Sequence, residues 1–581
     1  MTGAGFGRRY DVAELTAGIV GAHHVGRVNV NPHVRSQGDR PSMEADFATI
    51  WEHIADAFGD RTAIADDIAR WTWPQYDDRS ARLSAALAAC GVAPGDNVGI
   101  ALHNSNPYAE SQFALFKMRA TPFNVNYRYR TGELHALLDN ADATGLIFDH
   151  TLADELEPLV GELLTARTFV QVDGDTRPWA LDYETLIADH GPAPRIERSA
   201  DDLWMLFTGG TTGHPKGVMW PHRSIIELMG RTLTELGLSL PETPGGFVEL
   251  AGMLHDAGAS TVQLAAAPLM HGTSGLTALQ TLSVGGSLIT LGNHSFDPGQ
   301  LWRTVEQEGV TMISIVGDAF ARPMLDELDA AAARNRPYDG STVRTIASSG
   351  VMWSAEVKHG LLGHLPTASM ADLLGSSEGA NIASKIATAD AGATTAKFEL
   401  SDVAQVFDDD DQPVVPGSGQ IGRVAVGGPL PLGYYQDPEK TASTWPTIHG
   451  RRWSMAGDLA TVEADGTITL LGRGSNCINT GGEKVFPEEV EETLKQHPAV
   501  IDALAVGLPD ERWGQRVAAV VALANGASAA VEGAELIAFT KQHLAGYKAP
   551  KQVRIVDQLQ RKPNGKPDYE WAREAAAGSG D

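Results

Sequence analysis

The chain has 581 residues, 43% of them hydrophobic and 20% charged, with a formal net charge of −28. That length calls for more than one core, and so acidic a balance excludes nucleic acid or an anionic membrane as the main partner. Cys90 and Cys477 lie far apart with no metal-ligand spacing, which predicts no disulfide framework and fits a reducing cytoplasm.

No apolar run approaches the length of a transmembrane helix, so no integral membrane segment is expected. Arg8-Arg9 is followed by Asp11 and Glu14 where an export signal needs an apolar stretch. Residues 1–44 show weak periodicity and read as an N-terminal extension. From residue 45 onward, Phe47, Ile50, Trp51, Ile54 and Phe58 recur at helical spacing. Strand patterns at 97–102, 145–148 and 169–172 then alternate with helical ones at 108–118 and 133–138. This rhythm predicts an α/β fold with parallel sheets flanked by helices.

The apolar run 203–207 reads as a buried strand. It leads into Thr208-Gly209-Gly210-Thr211-Thr212-Gly213-His214-Pro215-Lys216-Gly217, with three threonines, four glycines and one lysine in ten residues. Glycines let successive N–H groups converge on an anion, and threonine hydroxyls and a lysine add donors and charge. The alternative is a flexible turn. Neither the Walker order Gly-Lys-Ser/Thr nor a G-x-G-x-x-G helix start is present. A helix through Ile225, Ile226, Leu228 and Met229 is expected to follow, then strands at 287–291, 311–316 and 343–348. Short strand signals at 420–426 predict a β-rich subdomain. The pattern restarts beyond Gly472-Arg473-Gly474, with a helix opened by Pro487, strands at 500–506 and 517–523, a helix at 535–544 and a strand at 552–556. The expected division is a large domain over 45–473 and a small α+β domain over 474–581.

Further stretches carry chemistry and an ordinary alternative together. Ser348-Ser349-Gly350-Val351 ends a strand and could bring backbone close to a flat ring. Gly375-Ser376-Ser377-Glu378-Gly379 fits the G-x-S-x-G pattern of a serine hydrolase with Ser377 as nucleophile, for which His449, His497 and His543 are available. The same stretch offers Glu378 as an oxygen ligand for Mg²⁺. Gly457-Asp458 is a plain turn or a grip on vicinal hydroxyls. Lys566, in Arg561-Lys562-Pro563-Asn564-Gly565-Lys566, reads alone as a solvated tail.

In this order, over about residues 45–570, these stretches closely resemble the adenylate-forming superfamily of acyl- and aryl-CoA ligases. Within it, 206–217, 472–491 and 561–569 look most like the actinobacterial fatty-acyl-CoA synthetases, including steroid side-chain types. The resemblance implies that ATP and a carboxylic acid give an acyl-adenylate and pyrophosphate, and that coenzyme A then displaces AMP. It assigns Thr208, Gly209, Gly210, Thr211, Thr212, Gly213 and Lys216 to the β- and γ-phosphates. Ser349, Gly350 and Val351 would border the adenine and acyl pocket, and Gly375, Ser376 and Ser377 the α-phosphate. Glu378 would hold Mg²⁺, Asp458 the ribose hydroxyls with Arg473 beside it, and His271 and Gly272 the acyl-pocket entrance. Lys566 would reach from the small domain to the carboxylate and α-phosphate oxygens, and Thr208, Glu378 and Lys566 are the catalytic set.

Three positions depart from the family pattern: Leu374 replaces an adenine-stacking aromatic, Ser475 the usual hinge Asp or Lys, and Ala456 a threonine. Small residues in 254–267 and 272–275 suggest a roomy apolar pocket for a long, branched or polycyclic acid. An aryl acid, or a carrier protein in place of coenzyme A, is the alternative within the family. The expected partners are small molecules in the cytoplasm, and a homodimer is left open.

Overall fold

The computed structural model describes residues 45–208, 215–235, 237–292, 295–351, 353–390, 397–473, 476–480, 483–510, 514–524, 531–544, 546–562 and 566–578. The extension 1–44, Gly474 and Ser475 lie outside the described residues.

Organised structure starts with the helix Phe47–Ala57. Asp46 caps it, accepting from the Thr49 N–H at 2.9 Å, and so satisfies one of the four amides that no helical carbonyl can reach. Phe47, Ile50, Trp51 and Ile54 point inward together. Their core draws on two sheets at once: Ile64 and Leu288 from one, Val98, Ile100, Trp204 and Trp220 from the other. Each fully buried large side chain contributes about 1.5–3 kcal/mol. The core therefore binds the two sheets through the helices between them.

One sheet has eight strands among the described residues, with Leu203–Thr208 beside Thr121–Asn124 and Asn97–Ala101 in parallel. After Thr208 the chain does not enter a helix directly, as the sequence suggests. Lys216–Pro221 returns first as an antiparallel strand, pairing Thr208 with Lys216, and only then does the helix His222–Glu235 begin. The glycine loop thus connects two strands that pair with each other.

The second sheet has thirteen strands among the described residues. Thr62–Ala65, Ser287–Thr290, Val262–Ala265, Met312–Ile315, Thr345–Ser349 and Ser369–Ser376 run parallel. From Gly379–Ala387 onward the pairing is antiparallel. The expected β-rich subdomain is this continuation of the large sheet, with its own core of Ile382, Val406, Val424 and Ile468.

The small C-terminal unit is a sheet of five strands among the described residues, with helices on both faces. Its strand Val500–Asp510 alternates from Ala503 onward, after an irregularity between Val500 and Asp502. Ala503 and Ala505 pack toward the helices Pro487–Lys495 and Gly533–His543, while Leu504 and Val506 pack against Tyr569–Ala577. This is the period of two that a strand covered on both faces requires.

Candidate active site

Thr208, Ser349 and Ser376 each end a strand that runs parallel to a neighbour. The carboxyl ends of such strands are where open α/β sheets bind ligands.

Both flanks of the glycine loop are pegged by asparagines that the sequence reading missed. The Asn124 amide bonds the Phe207 N–H at 2.6 Å and the Phe207 carbonyl at 3.0 Å. The Asn140 amide donates to the Pro215 carbonyl at 2.7 Å. Residues 209–214, which carry Gly209, Gly210, Thr211, Thr212 and Gly213, lie outside the described residues. Gly217 is required by packing: a Cβ there would stand 2.7 Å from Met205 Sδ and 2.8 Å from Phe207.

Lys216 Nζ lies 2.9 Å from Asp437 Oδ2 and 5.4 Å from the Tyr434 ring centroid. The lysine bond holds the Asp437 carboxyl below its usual range. Tyr434 Oη in turn donates to Glu378 Oε1 at 3.0 Å. One aromatic side chain therefore joins the loop lysine to the proposed metal-binding carboxylate.

Glu378 sits in the turn between the antiparallel strands Ser369–Ser376 and Gly379–Ala387. Two indoles fix that turn: Trp220 Nε1 donates to the Ser377 carbonyl at 2.9 Å, and Trp445 Nε1 to the Glu378 carbonyl at 3.0 Å. Here the hydrolase alternative fails, because a nucleophile elbow joins a strand to a helix and Ser377 lies in a β-hairpin. The available histidines are engaged elsewhere. His449 bonds the Asp411 carbonyl, His543 bonds the Phe539 carbonyl, and His497 packs edge-on against Phe539.

Asp458 and Arg473 face each other in the ladder of Asp458–Val462 with Ile468–Arg473. Leu374 packs against the core of the antiparallel continuation, so it serves that core. The segment 254–267 closes the helix Pro244–Asp256 and then supplies the interior strand Val262–Ala265, with Leu254 and Ala259 packed near Leu233 and Leu250.

The Thr345–Ser349 strand ends at Gly350, whose φ of +89° suits only glycine well. A Cβ on Gly350 would lie 3.9 Å from Lys566 Cε and 4.0 Å from Val316 Cγ1. The lysine from the far end of the chain therefore reaches the large domain at this strand end. His271, which precedes the helix Gly272–Ser283, shares the site: burial first, then the charges of Lys566 and Arg128, push its imidazole down to about 4. His271 Nε2 has no hydrogen-bond partner among the described residues. Burial and the two neighbouring cations both disfavour a third positive charge at this position, so the imidazole is neutral near pH 7.

Residues 51–435 match the model of the AMP-binding enzyme family, and residues 489–566 match the AMP-binding enzyme C-terminal domain. The chain belongs to the AMP-binding enzyme family. Among relatives, a 3-oxocholest-4-en-26-oate--CoA ligase of Rhodococcus rhodochrous is 41% identical over 92% of this chain and 96% of its own length. A medium/long-chain-fatty-acid--CoA/3-oxocholest-4-en-26-oate--CoA ligase of Mycobacterium tuberculosis is 38% identical over 92% of this chain and 96% of its own. The fold matches the anthranilate CoA ligase AuaEII in complex with anthranoyl-AMP, with a TM-score of 0.76 at 21% identity, over 91% of this chain and 96% of that one. It also matches ATP-bound MatB from Rhodopseudomonas palustris, with a TM-score of 0.73 at 22% identity, over 91% and 99%. Like other AMP-binding enzymes, this one has a large N-terminal part and a smaller C-terminal part, and Lys566 closes the segment that the C-terminal domain matches.

Proposed function

We propose that this enzyme activates a lipophilic carboxylic acid with ATP and joins it to coenzyme A, with Lys566 serving the first of the two steps. The chain is an AMP-forming acid–thiol ligase, and such ligases use ATP, Mg²⁺ and coenzyme A. The observation that carries the assignment of Lys566 is its side chain lying against Gly350, beside His271. The steroid and fatty acids named for the relatives at 41% and 38% identity support a long, branched or steroid side-chain acid.

In the first step a carboxylate oxygen attacks the α-phosphorus, and the bond to pyrophosphate breaks. Negative charge grows on the oxygens between the reactants. Lys566 meets it with a fixed positive charge, as electrostatic catalysis requires. Lys216 and the loop it closes hold the departing pyrophosphate, and Asp458 holds the ribose. Among the described residues no group of three or more His, Cys, Asp and Glu could hold a metal. Glu378 offers a single oxygen-rich side chain, which fits Mg²⁺ bound mostly by phosphates and water. Mg²⁺ bound there neutralises phosphate charge. In the second step the coenzyme A sulfur attacks the acyl carbon and AMP leaves.

Lys566 and the incoming thiol need the same space, so we place a hinge near residues 474–475, about which the small domain of 474–581 turns away from 45–473 between steps. Ser475 as the pivot is part of this proposal. Among the described residues no helix is long and apolar enough to cross a membrane. We place the reaction in the cytoplasm, where ATP and coenzyme A are supplied.

The test is acid-dependent pyrophosphate release, with and without coenzyme A, over acetate, benzoate, palmitate and a steroid side-chain acid. Palmitate or the steroid acid should lead. A second reading, aryl-CoA ligation, draws on a feruloyl-CoA synthase of Amycolatopsis at 31% identity. Benzoate ahead of the lipophilic acids would favour it, and release unaffected by coenzyme A with no thioester formed would favour a carrier protein.

A further inference from the structure

Among the described residues, the segment bearing Lys566 shows little backbone pairing of its own. Between the strand Gln552–Val556 and the helix Tyr569–Ala577, the described residues show one bridge, Arg561 to Pro567, and one further bond, from the Lys562 N–H to the Lys566 carbonyl at 2.8 Å. A hairpin that short is marginal on its own, and a reacting group displaced by about 1 Å costs about a hundredfold in rate. What anchors the base of that hairpin therefore bears on where the lysine points.

Arg561 stands at the base of the hairpin, directly across the bridge from the residue after Lys566. Its Nη2 lies 2.5 Å and its Nε 3.2 Å from Asp502 Oδ2, and Asp502 belongs to the long strand Val500–Asp510, which pairs along its length with Gly514–Leu523. Burial works against the Arg561 charge, and Asp502, then Glu491 and Asp318 of the large domain, outweigh it. The exit of the hairpin is held as well. Asp568 caps the following helix through the Trp571 N–H at 3.1 Å, and Tyr569 Oη reaches Glu491 Oε2 at 3.5 Å.

We propose that Arg561, clamped by Asp502, is the positioning residue that fixes the hairpin and so aims Lys566 at Gly350 during adenylate formation. This rests on the assignment of Lys566 to the first step. The clamp touches no reactant. Its loss should loosen the lysine without changing the surfaces that accept coenzyme A.

The experiment uses the full chain with palmitate. Acid-dependent exchange of labelled pyrophosphate into ATP reads the first step, and thioester formation from supplied palmitoyl-adenylate and coenzyme A reads the second. Arg561→Ala should lose tenfold to a hundredfold in exchange and stay within about twofold in thioester formation. Arg561→Lys should recover part of the loss, and adding Asp502→Ala to Arg561→Ala should cost little more. Asp502→Asn, nearly isosteric, gives the same readout if Arg561→Ala does not fold. Equal losses in both steps would reduce the pair to a folding element and overturn the proposal, as would full exchange in Arg561→Ala. Lys566→Ala is run alongside. Exchange retained by that variant overturns the lysine assignment, while exchange lost there and kept in Arg561→Ala overturns the clamp alone.

Discussion

Lys566 and Gly350 meet across 216 residues of chain, with 3.9 Å between the lysine Cε and the position a Cβ on the glycine would take. The glycine is there for two reasons. Its φ of +89° strains any other residue, and branches beyond a Cβ there would press on the lysine, since the Cβ itself would already be in contact. Gly350→Val should therefore depress adenylate formation at least tenfold and also lower the melting temperature, since backbone strain of this kind costs about 1–3 kcal/mol. Calorimetry and pyrophosphate exchange on the same sample check both effects.

Lys566→Ala should nearly abolish adenylate formation, a loss of about a hundredfold or more, because one preorganised electrostatic donor contributes about 2.7–4 kcal/mol. Thioester formation from supplied acyl-adenylate should survive. Single-turnover assays of the two steps separate these outcomes, and equal losses would be the contrary result.

Tyr434→Phe removes the hydroxyl that bonds Glu378 and leaves the ring beside Lys216. A hydrogen bond to a carboxylate contributes about 1.5–3 kcal/mol. The Mg²⁺ concentration for half-maximal activity should rise about tenfold, with a smaller change in the KM for the acid. A magnesium titration at saturating acid reads this.

Glu52 accepts from Lys117 at 2.7 Å and from both Arg198 terminal nitrogens at 2.9 Å, with all three side chains at most 4% exposed. Glu52→Gln removes the carboxylate paired with buried Arg198 and leaves Lys117 with Asp77 alone. Breaking such a cluster costs about 3–5 kcal/mol. A lower unfolding temperature with unchanged KM values at 25 °C is expected.

His222 is buried against Phe47 and Phe116, at centroid distances of 4.9 and 4.4 Å, and burial lowers its imidazole to about 3. Unfolded, it takes its proton near pH 6.5. The folded state thus gives up stability as the pH falls from about 6.5 toward 3, at up to about 1.4 kcal/mol per pH unit. His222→Leu should flatten the stability profile between pH 6 and 4.5 by about one proton, as urea titrations at several pH values would show.

The sequence carried the parts whose chemistry is local. The strand before Thr208, the strand ending at Ser349 and the helix opened by Pro487 all announce themselves by pattern, and each is present. Tyr434, Asn124, Asn140, Trp220 and Trp445 did not, because nothing beside them in the chain hints at the partner they meet. Each acts through one tertiary hydrogen bond to a distant segment. The strand Lys216–Pro221 was hidden for a related reason. Its partners come from Leu203–Thr208, and Gly217 near its start and Pro221 at its end read in the sequence as loop punctuation.

The seating of Lys566 against Gly350 also limits how tightly the two domains can hold each other. If both steps share one site in alternation, every 1.4 kcal/mol added to the seated arrangement makes the other about tenfold rarer. A variant with a firmer seam would form its adenylate well and then wait, so the seam must stay weak for the enzyme to turn over. Thermostabilising substitutions therefore belong in the cores within each domain, such as the one around Phe47 and Trp51, and not between the domains.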